Sequence, residues 1–202
     1  MKILIGSNNK HKLLEIQKIF SQELSSPIQF ILPKDLSDQP FEVEENGSTF
    51  SENSRIKAIA YFRRFGIATI ADDSGLLIDQ LGGEPGVQSA RYAGLDANDA
   101  SNRKLVQSKL AAIGAKSSPA RFVCVITFYD GINLIQAEGI CEGTIINQEK
   151  GKNGFGYDPM FIPQGYTKTF AELDSDIKNQ ISHRSIAIKN LIKKLKNKLE
   201  VS

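Results

Sequence analysis

Two adjacent aspartates that follow an apolar run are the side chains in this sequence best suited to chemistry. Residues 67–71 predict a buried strand, and Gly75 permits a sharp turn just after Asp72 and Asp73. Because neighbouring side chains at a strand end point to opposite sides, we expect one acid to enter a cleft and the other to brace the backbone. Two desolvated carboxylates repel each other unless a cation or hydrogen-bond donors compensate them, as in a magnesium-dependent hydrolase. A solvated turn is the alternative, since Asp, Ser and Gly are common in turns.

A polar segment between the first predicted strand and the first predicted helix is a candidate anion site. Unpaired backbone amides at a helix start bind anions with the help of the helix dipole. Lys10 and Lys12 add positive charge, and the side chains of Ser7 and Asn8 can orient a ligand. A capped helix with solvated lysines is the alternative. The segment is not a Walker loop, because no Gly-Lys-Ser/Thr ends a glycine-rich run.

The loop 151–159 alternates glycines with aromatic residues. Gly154 and Gly156 allow its backbone to approach a ligand closely, and Phe155 and Tyr157 offer faces on which a base can stack. The loop lacks the third glycine of a dinucleotide-binding fingerprint. Its alternative is a turn whose aromatic side chains enter the core.

A third polar group, Ser182-His183-Arg184, follows Lys178 and can hydrogen-bond a base edge or a phosphate. The alternative for His183 is a capping or core residue. His183 and His11 are the two histidines of the chain, so the usual histidine cluster of a zinc site is absent. A metal is therefore expected to be a hard ion, magnesium or manganese, held by carboxylates and water. Besides the paired aspartates, the candidate ligands are Glu44 and Glu45. Serine-hydrolase chemistry is excluded, because the sequence has no Gly-x-Ser-x-Gly elbow.

Alternating strands and helices must position these groups. Thr49 and Glu52 have the spacing of a capping box, Gly66 ends the helix that follows, and Asp130-Gly131 predicts a hairpin turn. This alternation predicts an α/β fold with a mixed sheet. The predicted strands are 3–6, 28–32, 67–71, 76–81, 121–129, 134–139 and 142–146, and the predicted helices are 10–24, 49–65, 97–113 and 183–199.

The length of 202 residues indicates one large domain or two closely joined lobes, and a single domain over residues 1–202 is the expectation. Hydrophobic residues make up 41% of the chain and charged residues 24%, as in an ordinary globular protein. A net charge of +2 gives no general attraction to nucleic acid or membranes. The lysines of the last helix are interpreted as its solvated face; nucleic-acid binding is the alternative. The amino terminus resembles neither a signal peptide nor a membrane span. The two cysteines, Cys124 and Cys141, do not have the spacing of metal ligands and are too few for a disulfide framework. They are consistent with the reducing environment of the cytoplasm.

Taken together, these segments resemble the inosine triphosphate pyrophosphatase family, which removes non-standard purine nucleotides such as ITP, dITP and XTP. The resemblance extends over nearly the whole chain. It is carried by six motifs in order: Ser7 to Lys12, Glu45 to Asn53, Ala71 to Leu76, Leu81 to Val87 with Ser89 to Tyr92, Gly154 to Pro159, and Ser182 to Arg184. Asn9 and Ser54 stand where the family often has other residues.

The resemblance implies a long mixed sheet bent around a cleft between two lobes, in a protein that is usually a homodimer. It implies that Asp73 is the catalytic acid, which binds Mg²⁺ (or Mn²⁺ as a substitute) and accepts a proton, and that Glu44 or Glu45 is the second metal ligand. The implied phosphate contacts are Ser7, Asn8, Asn9, Lys10, His11, Lys12 and Lys57. The other implied substrate contacts are Ser74, Phe155, Gly156, Tyr157, Asp158, Lys178, His183 and Arg184.

The implied reaction is hydrolysis of the nucleoside triphosphate to monophosphate and pyrophosphate, which keeps non-standard purines out of DNA and RNA. Water attacks the α-phosphorus, and positioning with charge neutralisation suffices without a covalent nucleophile. Two alternatives stay open. One is a pyrophosphatase for modified pyrimidine triphosphates on a related fold. The other is a module that binds a nucleotide without turnover, although such a module has no need for clustered acids beside phosphate.

Overall fold

The computed structural model describes residues 2–23, 28–39 and 41–199, except for the side chains of residues 10, 11 and 197–199. Its strands are β1 (Lys2–Ile5), β2 (Gln29–Ile31), β3 (Thr69–Ile78), β4 (Ser117–Tyr129), β5 (Leu134–Ile146) and β6 (Phe161–Pro163). Its α-helices are α1 (Lys10–Glu23), α2 (Phe50–Phe65), α3 (Asp99–Ala112), α4 (Ser175–Ile181) and α5 (His183–Leu199). Of the predicted first helix, residue 24 lies outside the described residues. Strand β6 and helix α4 were not predicted.

The strands form one six-stranded sheet in the order β2-β1-β3-β4-β5-β6. Strand β1 runs parallel to both β2 and β3, with Leu4 opposite Ile31 on one side and Thr69 on the other. Strand β6 is antiparallel to β5, with Thr144 opposite Ile162. The α/β class and the mixed sheet are therefore confirmed.

Strand β3 runs without interruption through the paired acids. The prediction of two strands, 67–71 and 76–81, on either side of a turn at Asp72 to Gly75 was wrong, because Thr69–Ile78 is a single strand. Acids are uncommon in a buried strand, since desolvation penalises their charge. Here side chains from three helices compensate the two carboxylates, so the chain can stay in the sheet at this point.

Strand β5 is also continuous where two strands, 134–139 and 142–146, were predicted, and that prediction was wrong as well. Gly139 is the last residue of the first of these predicted strands. In the structure it serves close packing instead, since a Cβ atom there would lie 2.2 Å from the carbonyl oxygen of His183 and 2.3 Å from the amide nitrogen of Ala187. The glycine therefore lets the first turn of α5 approach the strand without ending it.

The chain divides into two compact units, and strands β3, β4 and β5 contribute residues to both. Unit 1 comprises the described residues of Met1–Asp73, Cys124–Gly139 and His183–Ser202. Its core joins alternate strand residues such as Ile3, Ile5 and Ile70 to the apolar sides of α1 and α5. The intervening strand residues belong to the opposite face, where a Cβ atom on Gly6 would touch both Tyr61 of α2 and Ala71. Unit 1 therefore has α1 and α5 on one face of its strands and α2 on the other.

The last helix has the predicted amphipathic character. Ile188, Leu191 and Ile192 are buried, whereas Lys193, Lys194 and Lys196 are exposed. This distribution agrees with the interpretation of the lysines as a solvated face.

Unit 2 comprises Ser74–Val123 and Ile140–Ser182. Its core packs Leu76 and Ile78 of β3 and Val106 and Leu110 of α3 with a cluster of aromatic rings. The ring centroids of Phe122 and Phe161 lie 4.7 Å apart, and those of Phe161 and Phe170 lie 5.3 Å apart.

Among the described residues, no helix is both long and apolar enough to cross a membrane.

Candidate active site

The polar segment before α1 forms the start of that helix. The carbonyl oxygen of Asn9 accepts a hydrogen bond from the amide of Leu13 at 3.1 Å, and its Oδ1 accepts one from the amide of Lys12 at 3.2 Å. Ser7 Oγ accepts from the amide of Asn9 at 3.2 Å, and Asn8 Nδ2 donates to the carbonyl of Phe41 at 3.2 Å. Asn9 therefore caps α1 through its side chain, and Asn8 joins the segment to the loop at Phe41. The anion site stays a prediction. The side chains of Lys10 and His11 lie outside the described residues.

Asp72 is the centre of a buried ion cluster in unit 1. Its Oδ2 lies 3.1 Å from Lys12 Nζ and accepts hydrogen bonds from Arg184 Nε and Nη2, both at 3.3 Å. Arg184 in turn pairs with Glu15 of α1. Asp72 and Arg184 are each only 1% exposed. Burial alone would raise the pKa of Asp72, but Lys12, Arg184 and Lys57 outweigh burial and hold this pKa well below its usual range.

Asp73 points to α2 on the opposite face of β3. Asn53 Nδ2 donates to Asp73 Oδ2 at 3.1 Å, and Lys57 Nζ lies 3.7 Å from Asp73 Oδ1. The same ammonium group donates to Glu45 Oε2 at 2.8 Å. Lys57 therefore stands between two carboxylates, one from the strand and one from the acidic loop that precedes α2.

The two acids differ in their electrostatic environments. Burial raises the pKa of Asp73; Lys57 and Lys12 act against this rise, and the nearby negative charge of Glu45 adds to it. Burial would lower the pKa of Lys57, but Asp73, Asp72 and Glu45 outweigh burial, so this pKa is raised. Asp72 is thus held as a fixed anion, whereas Asp73 accepts a proton more readily than an ordinary aspartate.

Local sequence explains why α2 begins where Asn53 and Lys57 can reach Asp73. Thr49 Oγ1 accepts from the amide of Glu52 at 3.1 Å, and Glu52 Oε2 accepts from the amide of Thr49 at 3.2 Å, so the predicted capping box is confirmed. Gly66 ends the helix in the left-handed conformation with φ of 66°.

A second set of hydrogen bonds fastens the start of α2 to the sheet within unit 1. Ser54 Oγ and Thr127 Oγ1 of β4 are 2.8 Å apart, and both residues are fully buried. Gln136 Nε2 of β5 donates to Thr127 Oγ1 and to the carbonyl of Ser51, both at 2.9 Å. The hydroxyl of Ser54 therefore has partners in the sheet.

The acidic loop presents its two glutamates differently. Glu45 is half-buried and paired with Lys57, whereas Glu44 is exposed. Glu45 and Asp73 lie within 4 Å of the same ammonium nitrogen, so a cation already occupies the space between them. Their hard oxygen donors fit a magnesium ion. Within the part of the chain that the structure describes, no cluster of three or more His, Cys, Asp or Glu side chains is placed to hold a metal.

The aromatic loop, defined here as Phe155 to Asp158, is anchored within unit 2. Asp158 Oδ2 accepts from Lys178 Nζ at 2.7 Å and from the amide of Phe155 at 2.9 Å. Lys178 Nζ also lies 4.7 Å from the centroid of the Phe155 ring. The hydroxyl of Tyr157 donates to the carbonyl of Ser89 at 2.8 Å, and its ring is buried. Tyr157 therefore enters the core, whereas Phe155 stays half-buried.

The remaining candidates occupy separate positions. His183 is buried at the first position of α5 in unit 1, next to Arg184. Ser74 is half-buried on β3 in unit 2. The structure thus groups Lys12 and Arg184 around Asp72, Lys57 and Glu45 around Asp73, and Lys178 with the aromatic loop.

Sequence reasoning gave no role to Asn53, Glu15 or Ser89. Asn53 follows directly after the capping-box glutamate, and its place one turn before Lys57 was a usable signal, since residues at that spacing share a helix face. Glu15 and Ser89 had no such signal, because their partners Arg184 and Tyr157 are distant along the chain.

Comparison with known proteins gives consistent matches over nearly the whole chain. Residues 3–194 match the Ham1 family. A dITP/XTP pyrophosphatase from Oceanobacillus iheyensis is 45% identical over 193 residues, which cover 95% of this chain and 96% of that protein. A protein of the same name from Corynebacterium glutamicum is 40% identical over 203 residues, covering 96% and 97%. Among solved structures, a HAM1 protein from Coxiella burnetii superposes with a TM-score of 0.86 at 39% identity, covering 98% of this chain and 99% of that one.

Proposed function

The chain belongs to the Ham1 family, and we propose that it hydrolyses non-standard purine nucleoside triphosphates such as dITP, XTP and ITP to the monophosphate and pyrophosphate. Two relatives with matching coverage are named dITP/XTP pyrophosphatases. The role that follows is removal of these nucleotides before they enter DNA or RNA.

The contrast between Asp72 and Asp73 is the observation that carries this proposal. Neighbouring carboxyl groups whose environments push their pKa values apart are typical of acid–base catalysis. Asp72 is ionised and fixed by Lys12 and Arg184. Asp73 has a raised pKa and lies beside Lys57 and Asn53. Asp73 is therefore the group suited to take a proton from water.

The proposed step is attack of a water molecule on the α-phosphorus. Asp73 orients this water and accepts one of its protons. The bond from the α-phosphorus to the oxygen that bridges to the β-phosphorus breaks, so pyrophosphate leaves and the monophosphate remains. Lys12 and Lys57, together with the amide end of α1, offset the negative charge of the polyphosphate chain.

Asp73 and Glu45 are the residues that would hold a divalent cation, with Glu44 as the alternative to Glu45. Two observations support this assignment. Both carboxylates lie within 4 Å of Lys57 Nζ, and both offer the oxygen ligands that a magnesium ion prefers. When bound, Mg²⁺, or Mn²⁺ in its place, would neutralise charge on the phosphates.

Recognition of the base is proposed for the aromatic loop and Lys178, which lie together in unit 2. His183 and Arg184 stay contacts implied by the resemblance. Hypoxanthine and xanthine carry an oxygen at position 6, whereas adenine carries an amino group there. Hydrogen-bond donors at the site would accept the former and be left unpaired by the latter, a difference that can reach roughly 10⁴-fold. The half-buried ring of Phe155 beside Lys178 supports a stacking role.

A homodimer and a cytoplasmic location belong to the same proposal. The dimer is supported by the family resemblance and is tested by light scattering coupled to gel filtration. The location is supported by the two buried cysteines, Cys124 and Cys141, which are both free thiols.

Turnover of defined nucleotides tests the proposed function. The protein is incubated with dITP, XTP, dGTP, dATP and a methylated dUTP in the presence of Mg²⁺, and pyrophosphate and orthophosphate are measured separately. Pyrophosphate from dITP and XTP, with little from dATP, is the expected result. Orthophosphate alone would mean cleavage at another phosphorus. Preference for the methylated dUTP would favour the pyrimidine alternative, and tight binding without product would favour a binding module.

A further inference from the structure

Two side chains of α3 hold both backbone polar groups of Gly156, in the middle of the aromatic loop. Asp99 Oδ2 accepts a hydrogen bond from the amide of Gly156 at 2.7 Å. Arg103 Nη1 donates to the carbonyl oxygen of Gly156 at 2.9 Å. Asp99 and Arg103 are four residues apart on one helix, so they lie on the same face and act on the loop together. All three residues belong to unit 2.

Arg103 is itself held in place. Its side chain is only 15% exposed, and its Nε lies 3.0 Å from Oε2 of Glu149. The guanidinium therefore has the charge of Glu149 close to Nε, without a hydrogen bond at that nitrogen, while Nη1 donates to the loop carbonyl. The single ammonium of a lysine does not place two nitrogens in this way.

The hydrogen bonds from Asp99 and Arg103 restrain Gly156, a residue whose backbone could otherwise change conformation easily. Its φ is 60°, and a glycine with positive φ has a wide choice of other conformations. The two peptide units that flank its Cα lead to Phe155 on one side and to Tyr157 on the other. Tyr157 is anchored at Ser89, and the amide of Phe155 is anchored at Asp158. Gly156 lies between these two anchors, so the path of the loop from Phe155 to Tyr157 depends on how Gly156 is held.

We propose that Asp99 and Arg103 are positioning residues for substrate, because they clamp Gly156 and thereby hold the aromatic loop in its binding conformation before the nucleotide arrives. This inference rests on the proposed function, in which the aromatic loop contacts the base. A loop that is already ordered loses less conformational entropy on binding, so the clamp lowers KM and contributes little to kcat.

The variant Arg103→Met tests the clamp, and Lys104→Met, at an exposed neighbour on the same helix, is the matched control. Loss of a hydrogen bond to a charged group predicts that KM for dITP rises about tenfold in Arg103→Met while kcat changes far less. Arg103→Lys should restore KM only partly. Asp99→Asn, which keeps an acceptor oxygen, should give a smaller rise in KM. Melting temperatures of all variants show whether each one folds.

Amide hydrogen exchange of the ligand-free protein provides a readout that does not depend on activity. Exchange at Gly156 should be faster in Arg103→Met and unchanged in Lys104→Met. If the wild-type protein releases no pyrophosphate, the proposed function fails, and exchange still decides whether the clamp orders the loop. The inference is overturned if exchange at Gly156 is unaltered, if KM stays constant in an active enzyme whose loop exchanges faster, or if Lys104→Met has the same effects.

Discussion

The ammonium nitrogen of Lys12 lies 3.1 Å from Oδ2 of Asp72. This contact ties the first turn of α1 to the middle of β3, and Arg184 of α5 joins it from the same face. Asp72 is therefore an anion that holds two helices and a strand together. Asp73, the next residue along the chain, faces α2 and has a raised pKa. The same substitution at these two neighbouring positions should consequently have different results.

Asp72→Asn is expected to lower the free energy of unfolding by about 3–5 kcal/mol, because it removes a buried carboxylate that compensates the charges of Arg184 and Lys12 and leaves Glu15 to pair with Arg184. The depressed pKa of Asp72 sets the pH dependence. Its stabilisation is present above the ordinary aspartate pKa, near pH 4, and is lost as the pH falls from there toward the lower native value. Urea denaturation at several pH values measures both effects, with Asp38→Asn, at an exposed position, as the control. An unchanged unfolding midpoint at pH 7 would contradict the structural role of Asp72.

Asp73→Asn is expected to decrease kcat by about 10²-fold or more, since it removes the group that accepts a proton from water. Stability should be retained or slightly increased, because burial opposes the charge of Asp73 and the amide removes that charge. Pyrophosphate release and a thermal melt on the same preparation measure the two effects. A variant that keeps most of its turnover would refute the catalytic assignment.

The raised pKa of Asp73 predicts the acid limb of the pH–rate profile. Activity should rise with pH through a value above the ordinary aspartate pKa of about 3.9, as Asp73 becomes able to accept a proton. Folding favours the protonated form of this group, so its effect on stability has the opposite sign to that of Asp72. Stability should fall as the pH rises from the unfolded pKa to the native one. In Glu45→Gln the acid limb of the pH–rate profile should move to lower pH, because the negative charge of Glu45 no longer raises the pKa of Asp73. A shift of this limb to higher pH would contradict this account.

Magnesium dependence should separate the two glutamates of the acidic loop. Activity is expected to disappear with EDTA and to return with added Mg²⁺. Glu45→Gln should raise the Mg²⁺ concentration needed for half-maximal activity by about tenfold or more, since Glu45 is the glutamate paired with Lys57 beside Asp73. Glu44→Gln is the matched control and should have little effect, because Glu44 is exposed. The reverse order would move the proposed ligand to Glu44.

Local signals predicted a large part of the fold. The capping box at Thr49 and the left-handed Gly66 defined α2, because a helix start and a helix end depend on hydrogen bonds within a few residues. The same reasoning was wrong at Gly75, where a turn was predicted, and at the end of the predicted strand 134–139. At Gly139 the need was space for the first turn of α5, which lies far along the chain and leaves no local signal.

The candidate site divides in the same way. By its own residue types and spacing, the sequence determined which groups could do chemistry: the adjacent acids, the lysines near the helix starts and the alternating glycines and aromatic rings. Only the tertiary structure decided how the two acids differ, because Lys12, Arg184 and Lys57 come from three different helices that pack on two faces of β3. It also decided that α3 holds Gly156. The physical reason is that a pKa and a loop conformation depend on the charges and donors within a few ångströms, and folding alone brings those together.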